Sequence, residues 1–498
     1  MSLALDGNSL TISQVCDVAR ASTAAVSLAP AAVEAMLASR ALIDRLAAGD
    51  APIYAVNTGV GLLANRRISR GDLEQLQRNV VRSHAAGVGE LLDREVVRAM
   101  MLIRANVLAK GFSGIRPLVA ERICDLLGRG VTPIVPSQGS VGASGDLAPL
   151  AHMALVLMGE GEAEFGGERM PGGDALARAD MHPIELQPKE GISLINGTQA
   201  MLAIGCLELE AAEILVETAD VVCALSLDAQ RGTPRAFDER IHQARPHPGQ
   251  LASAMRLRRL IEGSEIRESH RVCTRVQDAY SLRCAPQVHG SVIDSLAEAR
   301  RVFAIEVNSA TDNPLVFGEE ILSGGNFHGE PVALQLDFLA VALTALSGIS
   351  ERRVDRLVNP ALNEELPAFL AGNPGLESGL MMAQVTAASL VAENRVLAHP
   401  ASTGSITTSG NKEDFVSMGM TSAVKLQRVV RNTRAVLAIE ALAAARALDF
   451  LAPLKTSPAL EKMRSRIREV SPPIAEDRPF HRDIAAIDPL IAAGALRA

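Results

Sequence analysis

The stretch GSVGASGDLAPLAH, at residues 139–152, gives the strongest indication of how this chain folds and which chemistry it carries. In one interpretation it is a Gly/Ser loop in which Ser144 or Asp146 caps the following helix, since both residue types favour that position. A second interpretation rests on residue size. Because Gly145 has no side chain, its amide can approach the Ala143 carbonyl in a tight turn. Cyclisation and two dehydrations would then convert Ser144 into an exocyclic methylidene on an imidazolone ring.

Composition and charge are those of an ordinary globular protein. The chain has 498 residues and a formal net charge of -8, which argues against nucleic-acid or membrane-surface binding because both need a basic excess. The first ten residues lack the basic and apolar regions of a signal peptide, so we expect a cytoplasmic protein. The six cysteines form no C-x-x-C pair and are expected to be buried free thiols. They are Cys16, Cys124, Cys206, Cys223, Cys273 and Cys284.

Short motifs of other enzyme classes are absent from the sequence. There is no H-E-x-x-H, no G-x-x-x-x-G-K-[ST], no G-x-S-x-G and no G-x-G-x-x-G after a strand. The ten histidines are scattered without metal-ligand spacing. Metal, nucleotide and serine-hydrolase functions therefore have no support, and we predict no metal site.

Hydrophobic residues recur with the period of an α-helix along almost the whole chain. Apolar residues recur at i, i+3, i+4 and i+7 in the first half, and longer helices, apolar on several faces, follow residue 200. The most apolar of them carries Gln335 and Asp337 and is predicted to be a core helix rather than a membrane span. Strand-like segments are short, at 164–170 and 314–317. The predicted helices are 73–83, 96–110, 115–127, 201–228, 292–308, 331–358 and 425–452.

We therefore predict a mainly α protein with two parts. Residues 1–200 form a loop-rich N-terminal part with the 139–152 loop, and residues 201–498 form a bundle of long helices. Helices that are apolar on several faces belong in the middle of a bundle or between subunits. Polar loops at 133–145 and 399–412 are candidates for function, because long irregular loops in a compact helical protein are usually functional.

Several further motifs, in order along the chain, resemble one enzyme family. That family is the ammonia-lyases built on the 4-methylideneimidazol-5-one (MIO) prosthetic group, and within it the bacterial histidine ammonia-lyases are most similar. The similarity extends from near residue 11 to near residue 462. The motifs are YAVNTG at 54–59, SHAAG at 83–87, GFSGIR at 111–116, KEGISLINGTQ at 189–199, VQDAYSLRC at 276–284, SGGNFH at 323–328 and EDFVSM at 413–418.

The resemblance implies a fumarase/aspartase-like helical fold and an MIO group formed autocatalytically from Ala143, Ser144 and Gly145. It also implies a homotetramer whose sites combine residues from several subunits. No metal or external cofactor is expected. An electrophilic methylidene suits this reaction, since eliminating ammonia from an α-amino acid means expelling a poor leaving group.

Both tyrosines of the chain, Tyr54 and Tyr280, fall in these motifs. The resemblance assigns Tyr54 as the base that removes the β-proton and Tyr280 as an assisting residue near the prosthetic group. A phenol is a weak base at neutral pH, so this role needs a supporting environment. The alternative is that both are core rings with satisfied hydroxyls.

The resemblance also assigns residues that hold the substrate's carboxylate and the prosthetic group. Arg283 follows Tyr280 by three residues, and its guanidinium suits a bidentate clamp on the carboxylate, although a lone Arg usually makes a surface ion pair. Asn196 and Gln277 match positions that hydrogen-bond the carboxylate and the prosthetic ring. Phe327, which flanks the ring, and Asp146 match residues linked to formation of the group.

Two residues match positions that select histidine. His84 corresponds to the histidine that meets the substrate imidazole, where phenylalanine lyases tend to have an apolar pair and tyrosine lyases have His-Leu. Glu413 corresponds to a glutamate that faces the same ring, where phenylalanine lyases typically have an amide. A carboxylate there can accept a ring N–H. The alternative for His84 is a buried, satisfied histidine.

The chain departs from the histidine-lyase pattern at several positions. It has NKEDF at 411–415 where N-Q-E-D-H is usual. Lys412 could neutralise Glu413 or meet a negative or thione-like substrate group, or it could point to solvent as most lysines do. The other departures are Val60, Ala279, His289 and Phe415.

The resulting functional prediction is elimination of ammonia from L-histidine, giving trans-urocanate and ammonium. Lys412 and Phe415 motivate an alternative, which is a lyase or 2,3-aminomutase acting on tyrosine, phenylalanine or a modified histidine such as ergothioneine. A catalytically silent homologue is a third hypothesis, and the presence of Ser144, Tyr54 and Arg283 argues against it. The expected partners are a small amino-acid substrate and further copies of the chain, with no nucleic acid and no membrane.

Overall fold

The computed structural model describes residues 2–272 and 276–497. Helices dominate these residues, which confirms the predicted fold class. They are α1 Ile12–Arg20, α2 Pro30–Ala48, α3 Leu73–His84, α4 Arg94–Ala109, α5 Pro117–Arg129, α6 Leu147–Leu157, α7 Gly172–Arg178, α8 Glu190–Ile195, α9 Gln199–Ala229, α10 Glu239–Gln243, α11 Pro248–Ile261, α12 Glu265–Ser269, α13 Tyr280–Arg283, α14 Ala285–Glu306, α15 Glu330–Val358, α16 Met381–Leu397, α17 Gly419–Asp449, α18 Pro458–Val470 and α19 His481–Ala492.

The strands are short and form small separate sheets. β1 and β2 pair in parallel, while the β3–β5, β4–β6–β7 and β8–β9 sheets are antiparallel. The strands are β1 Ser2–Leu5, β2 Ala25–Leu28, β3 Val88–Leu91, β4 Thr132–Pro133, β5 Pro136–Gln138, β6 Glu162–Phe165, β7 Glu168–Pro171, β8 Leu315–Phe317 and β9 Glu320–Leu322.

Each of the seven helices predicted from periodicity is present, with ends that differ by up to seven residues, the largest difference being at the start of α14. The predicted strand at 164–170 is in fact the β6–β7 hairpin, turned by Gly166 and Gly167 at positive φ. The loop at 133–145 contains β5, whose partner is β3. The local sequence pattern therefore predicted where these elements lie. It did not predict which strands pair, because the paired strands are distant in the sequence.

The chain divides into two compact units. Unit 1 comprises Met1–Leu207, Arg300–Asp337 and Pro400–Val424, and unit 2 comprises Glu208–Ala299, Phe338–His399 and Lys425–Ala498. The two-part division made from the sequence, 1–200 and 201–498, did not anticipate that two later segments return to the first unit. Those segments contain Phe327 and Glu413, two of the predicted site residues.

The long helices supply much of the core. In α17 every residue from 436 to 447 is buried, so no face of this part of the helix meets water. Its buried carboxylate, Glu440, is paired with the Arg353 guanidinium, as a buried charge requires. The prediction that helices apolar on several faces are buried in the bundle is thus confirmed for this part of α17.

Among the described residues, α15 is the one helix long and apolar enough to span a bilayer by length and composition. Half of its apolar window is buried inside the chain, as in a core helix. Asp337 within it accepts a hydrogen bond from the Ser402 amide at 2.8 Å.

Five cysteines are described, and none forms a disulfide. Cys16, Cys124, Cys206 and Cys223 are buried, while Cys284 is only half-buried. Cys273 lies outside the described residues.

Candidate functional site

Unit 1 contains a cavity of about 360 Å³ that brings together predicted site residues from six of the sequence motifs. Six of these predicted residues line it, together with eight that were not predicted. Its lining is Tyr54, Val60, Gly61, Leu62, Leu63, His84, Ser144, Leu147, Ile192, Asn196, Asn313, Phe327, Ser409 and Glu413. No group of three or more His, Cys, Asp or Glu side chains able to hold a metal occurs in residues 2–272 and 276–497.

The loop before α6 is packed tightly against the segment that precedes α9. Gly145 has φ +71° and forms a bridge with Gly197. A Cβ on Gly145 would lie 2.2 Å from the Gly197 carbonyl oxygen, so no other residue fits without displacing backbone. The next amide, that of Asp146, donates to the same carbonyl at 2.7 Å. Gly145 is therefore required both by its φ angle and by this contact.

Asp146 fixes the loop to the first turn of α9. It is fully buried, and its Oδ2 accepts from the Met201 amide at 2.8 Å, a donor left free at a helix N-terminus. Its Oδ1 accepts from the Ser140 hydroxyl at 3.0 Å. Burial raises the pKa of the Asp146 carboxyl to about 6, although both hydrogen bonds act in the opposite direction.

This raised pKa predicts how stability changes with pH. The folded chain holds the Asp146 proton more tightly than the unfolded chain, so ionisation of Asp146 weakens the fold. We expect the free energy of unfolding to lose about 3 kcal/mol from this residue as pH rises from about 4 to about 6, and nothing further above that. Urea unfolding of wild type and Asp146→Asn across this range is the measurement. A difference between the two proteins that does not change with pH would contradict the expectation.

Ser144 contacts two of the residues predicted to share its site. Its hydroxyl donates to Glu413 Oε1 at 2.9 Å, and its carbonyl accepts from Asn196 Nδ2 at 2.7 Å. The other oxygen of Glu413 accepts from the Thr408 and Ser409 hydroxyls, each at 2.7 Å. Glu413 is thus held in place by two hydroxyl groups while its first oxygen points to Ser144.

Arg104 lies behind Asn196 and was not predicted from the sequence. Its guanidinium is fully buried and donates to the Asn196 carbonyl at 2.8 Å, to Gln199 Oε1 at 3.0 Å and to the Ser193 carbonyl. Burial lowers the pKa of Arg104 to about 10, which leaves it charged at neutral pH. Nothing in the sequence marks this role, because α4 is regularly helical and its Arg residues look like surface residues.

The ring of His84 is oriented by the backbone of its own helix. Its Nδ1 lies 2.7 Å from the Val80 carbonyl oxygen, which can only accept. The proton of the neutral ring therefore sits on Nδ1, and Nε2 is left as an acceptor. The Tyr54 hydroxyl accepts from the Gly61 amide at 3.3 Å, and Phe327 lines the same cavity.

Asn313 is another residue of the site that was not predicted from the sequence. It lines the cavity, and its Oδ1 accepts from the Gly324 amide at 2.7 Å and the Ser323 hydroxyl at 3.2 Å. It thereby ties down the start of the loop that carries Phe327. A signal was available, since the polar run TDNP at 311–314 directly precedes a predicted strand.

Lys412 and Phe415 lie outside the cavity lining. Lys412 is exposed. Phe415 is 60% exposed and stacks on His328, with ring centroids 6.0 Å apart. The role of Lys412 in substrate binding remains a prediction, and its exposure favours the solvent-facing alternative.

We expect Lys412→Gln to change kcat/KM for L-histidine by less than about threefold, because an exposed lysine interacts weakly with a site that it does not line. Steady-state kinetics of the two proteins at equal ionic strength test this. A tenfold or larger change in kcat/KM would show that Lys412 contributes to substrate binding.

The remaining predicted residues, Gln277, Tyr280 and Arg283, belong to unit 2 and do not line the cavity. Gln277 is exposed and Tyr280 is 70% exposed. The Arg283 guanidinium carbon lies 4.5 Å from the centroid of the Tyr280 ring. The Nε of Arg283 is buried without a hydrogen-bond partner in the described residues. These three residues form a second group of predicted residues on one short segment, in which Gln277 and Tyr280 are exposed and Arg283 is half-buried.

Comparisons with known proteins agree on one family. A sequence profile of the aromatic amino acid lyases matches residues 10–469. The histidine ammonia-lyase of Koribacter versatilis is 60% identical, over 100% of this chain and 99% of that protein. The crystal structure of histidine ammonia-lyase from Trypanosoma cruzi matches with a TM-score of 0.91 and 42% identity, over 100% of this chain and 94% of that one. Tyrosine aminomutase from Streptomyces globisporus matches with a TM-score of 0.94 and 39% identity, over 100% and 98%.

Proposed function

The chain belongs to the aromatic amino acid lyase family, and we propose that it eliminates ammonia from L-histidine to give trans-urocanate and ammonium. The observation that carries this proposal is a single cavity shared by Ser144, Glu413 and His84. Ser144 lies in the loop that can form an electrophile, while Glu413 and His84 offer two hydrogen-bond acceptors to an imidazole ring. Relatives that are 60% and 53% identical carry the name histidine ammonia-lyase over nearly their full length.

The residues at 143–145 fit the MIO group that the family implies. Gly145 holds the left-handed φ of a tight turn, with no room for a side chain, and the Ser144 hydroxyl lies at the cavity. Asn196, through its bond to the Ser144 carbonyl, and Asp146 would hold the group in place. When formed, the group supplies an electrophile that takes up the substrate's amine and makes it a better leaving group.

His84 and Glu413 would bind the substrate ring. The Nε2 of His84 is an acceptor, as its Nδ1 donates to the Val80 carbonyl. Dehydration of Ser144 removes the hydroxyl that now donates to Glu413 Oε1, so this oxygen becomes free to accept a ring N–H. An imidazole ring provides one N–H donor when neutral and two when protonated, whereas the phenyl ring of phenylalanine has none and would leave both acceptors unpaired.

The Tyr54 hydroxyl is the proposed base. It lines the same cavity and accepts a hydrogen bond from the Gly61 amide, a donor that would stabilise negative charge on its oxygen. A substrate whose ring is held at His84 and Glu413 would share one cavity with this hydroxyl. Tyr54 would then remove the β-proton as the amine leaves.

A second copy of the chain would supply the rest of the site. Arg283 would hold the substrate carboxylate, with Tyr280 and Gln277 beside it, as in the homotetramer that the resemblance implies. Gln277 is exposed, Tyr280 is 70% exposed and Arg283 is half-buried in the single chain. Large apolar side chains on α15 and α16 are also exposed in the single chain, as expected of surfaces that other copies cover. They include Phe338, Val341, Met382 and Val385.

The direct test is an assay of purified protein with L-histidine, following ammonium and the near-ultraviolet absorbance of urocanate. The variant Ser144→Ala serves as the blank. L-Tyrosine, L-phenylalanine and ergothioneine are run in parallel, and products are analysed for β-amino acids. We expect equimolar urocanate and ammonium from L-histidine alone. A preference for another substrate, or a β-amino acid product, would overturn the assignment in favour of the lyase or aminomutase alternative.

Glu413→Gln should lower kcat/KM for L-histidine by about two orders of magnitude or more, because an amide replaces the charged acceptor of the ring N–H. The matched control is Asp414→Asn, an exposed carboxylate beside it that does not line the cavity. Steady-state kinetics, with intact mass as the measure of prosthetic-group formation, distinguish lost binding from lost maturation. Equal kcat/KM in Glu413→Gln and wild type would show that Glu413 does not bind the substrate ring.

A further inference from the structure

Unit 2 contains a fully buried group of four ionisable side chains that the reaction proposed above does not use. Asp220, His289, Arg353 and Glu440 are each 0% exposed. They lie on α9, α14, α15 and α17, four long helices that contribute one residue each. Buried charges are costly unless they are paired, so an arrangement of this kind requires an explanation.

His289 connects the two halves of this group. Its Nδ1 lies 2.7 Å from Asp220 Oδ1, and its Nε2 lies 3.3 Å from Arg353 Nη1. A carboxylate can only accept and a guanidinium can only donate. His289 is therefore a neutral ring with its proton on Nδ1, donating to Asp220 and accepting from Arg353. Asp220 is held in turn by the Ser253 hydroxyl at 2.6 Å and by Arg256.

Arg353 is fixed on its other edge as well. Its Nε and Nη2 donate to the two oxygens of Glu440 at 2.5 and 2.8 Å, a bidentate pair. Glu440 also accepts from the Ser226 and Ser350 hydroxyls, at 2.8 and 2.6 Å. With the Glu440 edge and the His289 contact both set, the plane of the guanidinium has one orientation.

That orientation directs Arg353 Nη1 to the Ser281 carbonyl, at 3.4 Å. Ser281 lies in α13, between Tyr280 and Arg283. This helix is a single turn of four residues, and its N-terminus at Ala279 has no side-chain cap. A single turn is not stable alone, so contacts from the rest of unit 2 must hold it. The contact from Arg353 is one that reaches its backbone from the buried side.

We propose that His289 is a positioning residue that, through Arg353, holds α13 in the orientation needed for Arg283 to bind the substrate's carboxylate. The role of Arg283 in this inference rests on the proposed function. The packing of α13 does not depend on it. An apolar residue at 289 would leave an N–H of Arg353 without its partner, while Asp220 Oδ1 would keep only the Ser253 hydroxyl. The guanidinium would then be held by Glu440 alone and would lose the contact that fixes Nη1 toward Ser281.

The test compares wild type with His289→Leu and His289→Gln. Leu removes both hydrogen bonds, whereas the Gln amide can donate to Asp220 and accept from Arg353. The first readout is hydrogen exchange of the peptide covering 276–284, measured on the full chain without substrate. The amides of Leu282, Arg283 and Cys284 close the turn of α13, and we expect them to exchange faster in the Leu variant and normally in the Gln variant.

The second readout distinguishes binding of the substrate's carboxylate from binding of its imidazole ring. We expect KM for L-histidine and the inhibition constant of imidazolepropionate, which has the carboxylate, to rise about tenfold in His289→Leu. The inhibition constant of 4-methylimidazole, which lacks it, should not change. Intact mass should still show the loss of two waters, because the loop at 143–145 belongs to unit 1. A general loss of stability would weaken both inhibitors together.

Three results would overturn the proposal: equal weakening of both inhibitors, a Gln variant as impaired as the Leu variant, or unchanged exchange at α13. If His289→Leu does not fold, Arg353→Lys replaces it. Its single ammonium group keeps a charge beside Glu440 but cannot also reach Ser281. Hydrogen exchange at α13 and inhibition constants in Arg353→Lys that match those of wild type would also contradict the proposal. Failure of the proposed function would look different, since wild type itself would then lack turnover while the exchange comparison still reports on α13.

Discussion

Ser144→Ala is expected to fold normally and to lose turnover of L-histidine by about four orders of magnitude or more. Alanine has no hydroxyl to eliminate, so the methylidene carbon cannot form. The fold should survive because the Ser144 hydroxyl makes one hydrogen bond, to Glu413, and one such bond is worth about 1 kcal/mol. Ser291→Ala, which removes a hydroxyl from an exposed helix position, is the matched control.

Intact mass and kinetics together measure this effect. Wild type should be lighter than its encoded sequence by two water molecules and should absorb in the near ultraviolet, whereas Ser144→Ala should retain at least one of the waters and lack that absorbance. Ser291→Ala should match wild type in both. Turnover by Ser144→Ala within tenfold of wild type would exclude the electrophile and with it the proposed chemistry. Wild type with no mass loss would support the silent homologue instead.

Tyr54→Phe is the second large effect. We expect kcat for L-histidine to fall by about three orders of magnitude or more, since a positioned general base contributes about 10²–10⁴-fold and Tyr54 is the base proposed at this cavity. The mass loss and the near-ultraviolet absorbance should both remain. Phe keeps the ring and lacks only the hydroxyl, which accepts from the Gly61 amide, so the ring of Phe can occupy the same place.

The prosthetic group is the internal control for this variant, because a maturation defect and a lost base both abolish activity. Exchange of the β-hydrogen of bound L-histidine with deuterated solvent is a sharper measurement than turnover, and should also disappear. A variant that keeps a tenth or more of wild-type kcat would show that another group removes the β-proton.

The sequence alone determined the helical architecture and the residues of the reactive loop. Hydrophobic period is a local property, and α3, α4, α9, α15 and α17 follow it to within a few residues. The proposed ring-forming tripeptide was predicted from the resemblance of residues 139–152 to the family motif. Its chemical requirements, the small size of Gly145 and the hydroxyl of Ser144, are properties of single residues and are visible in the sequence.

The resemblance predicted that Asn196 and Glu413 share the site of Ser144, but only the tertiary structure decided which of their atoms are in contact at this loop. Ser144 and Glu413 are 269 residues apart, and Arg104 reaches the Asn196 carbonyl across 92. Contacts of this range depend on the packing of whole helices, which no local pattern contains. Glu413 lines the cavity while its neighbour Lys412 is exposed. Three consecutive residues of positive φ, 409–411, turn the backbone just before them and set which side chain faces inward.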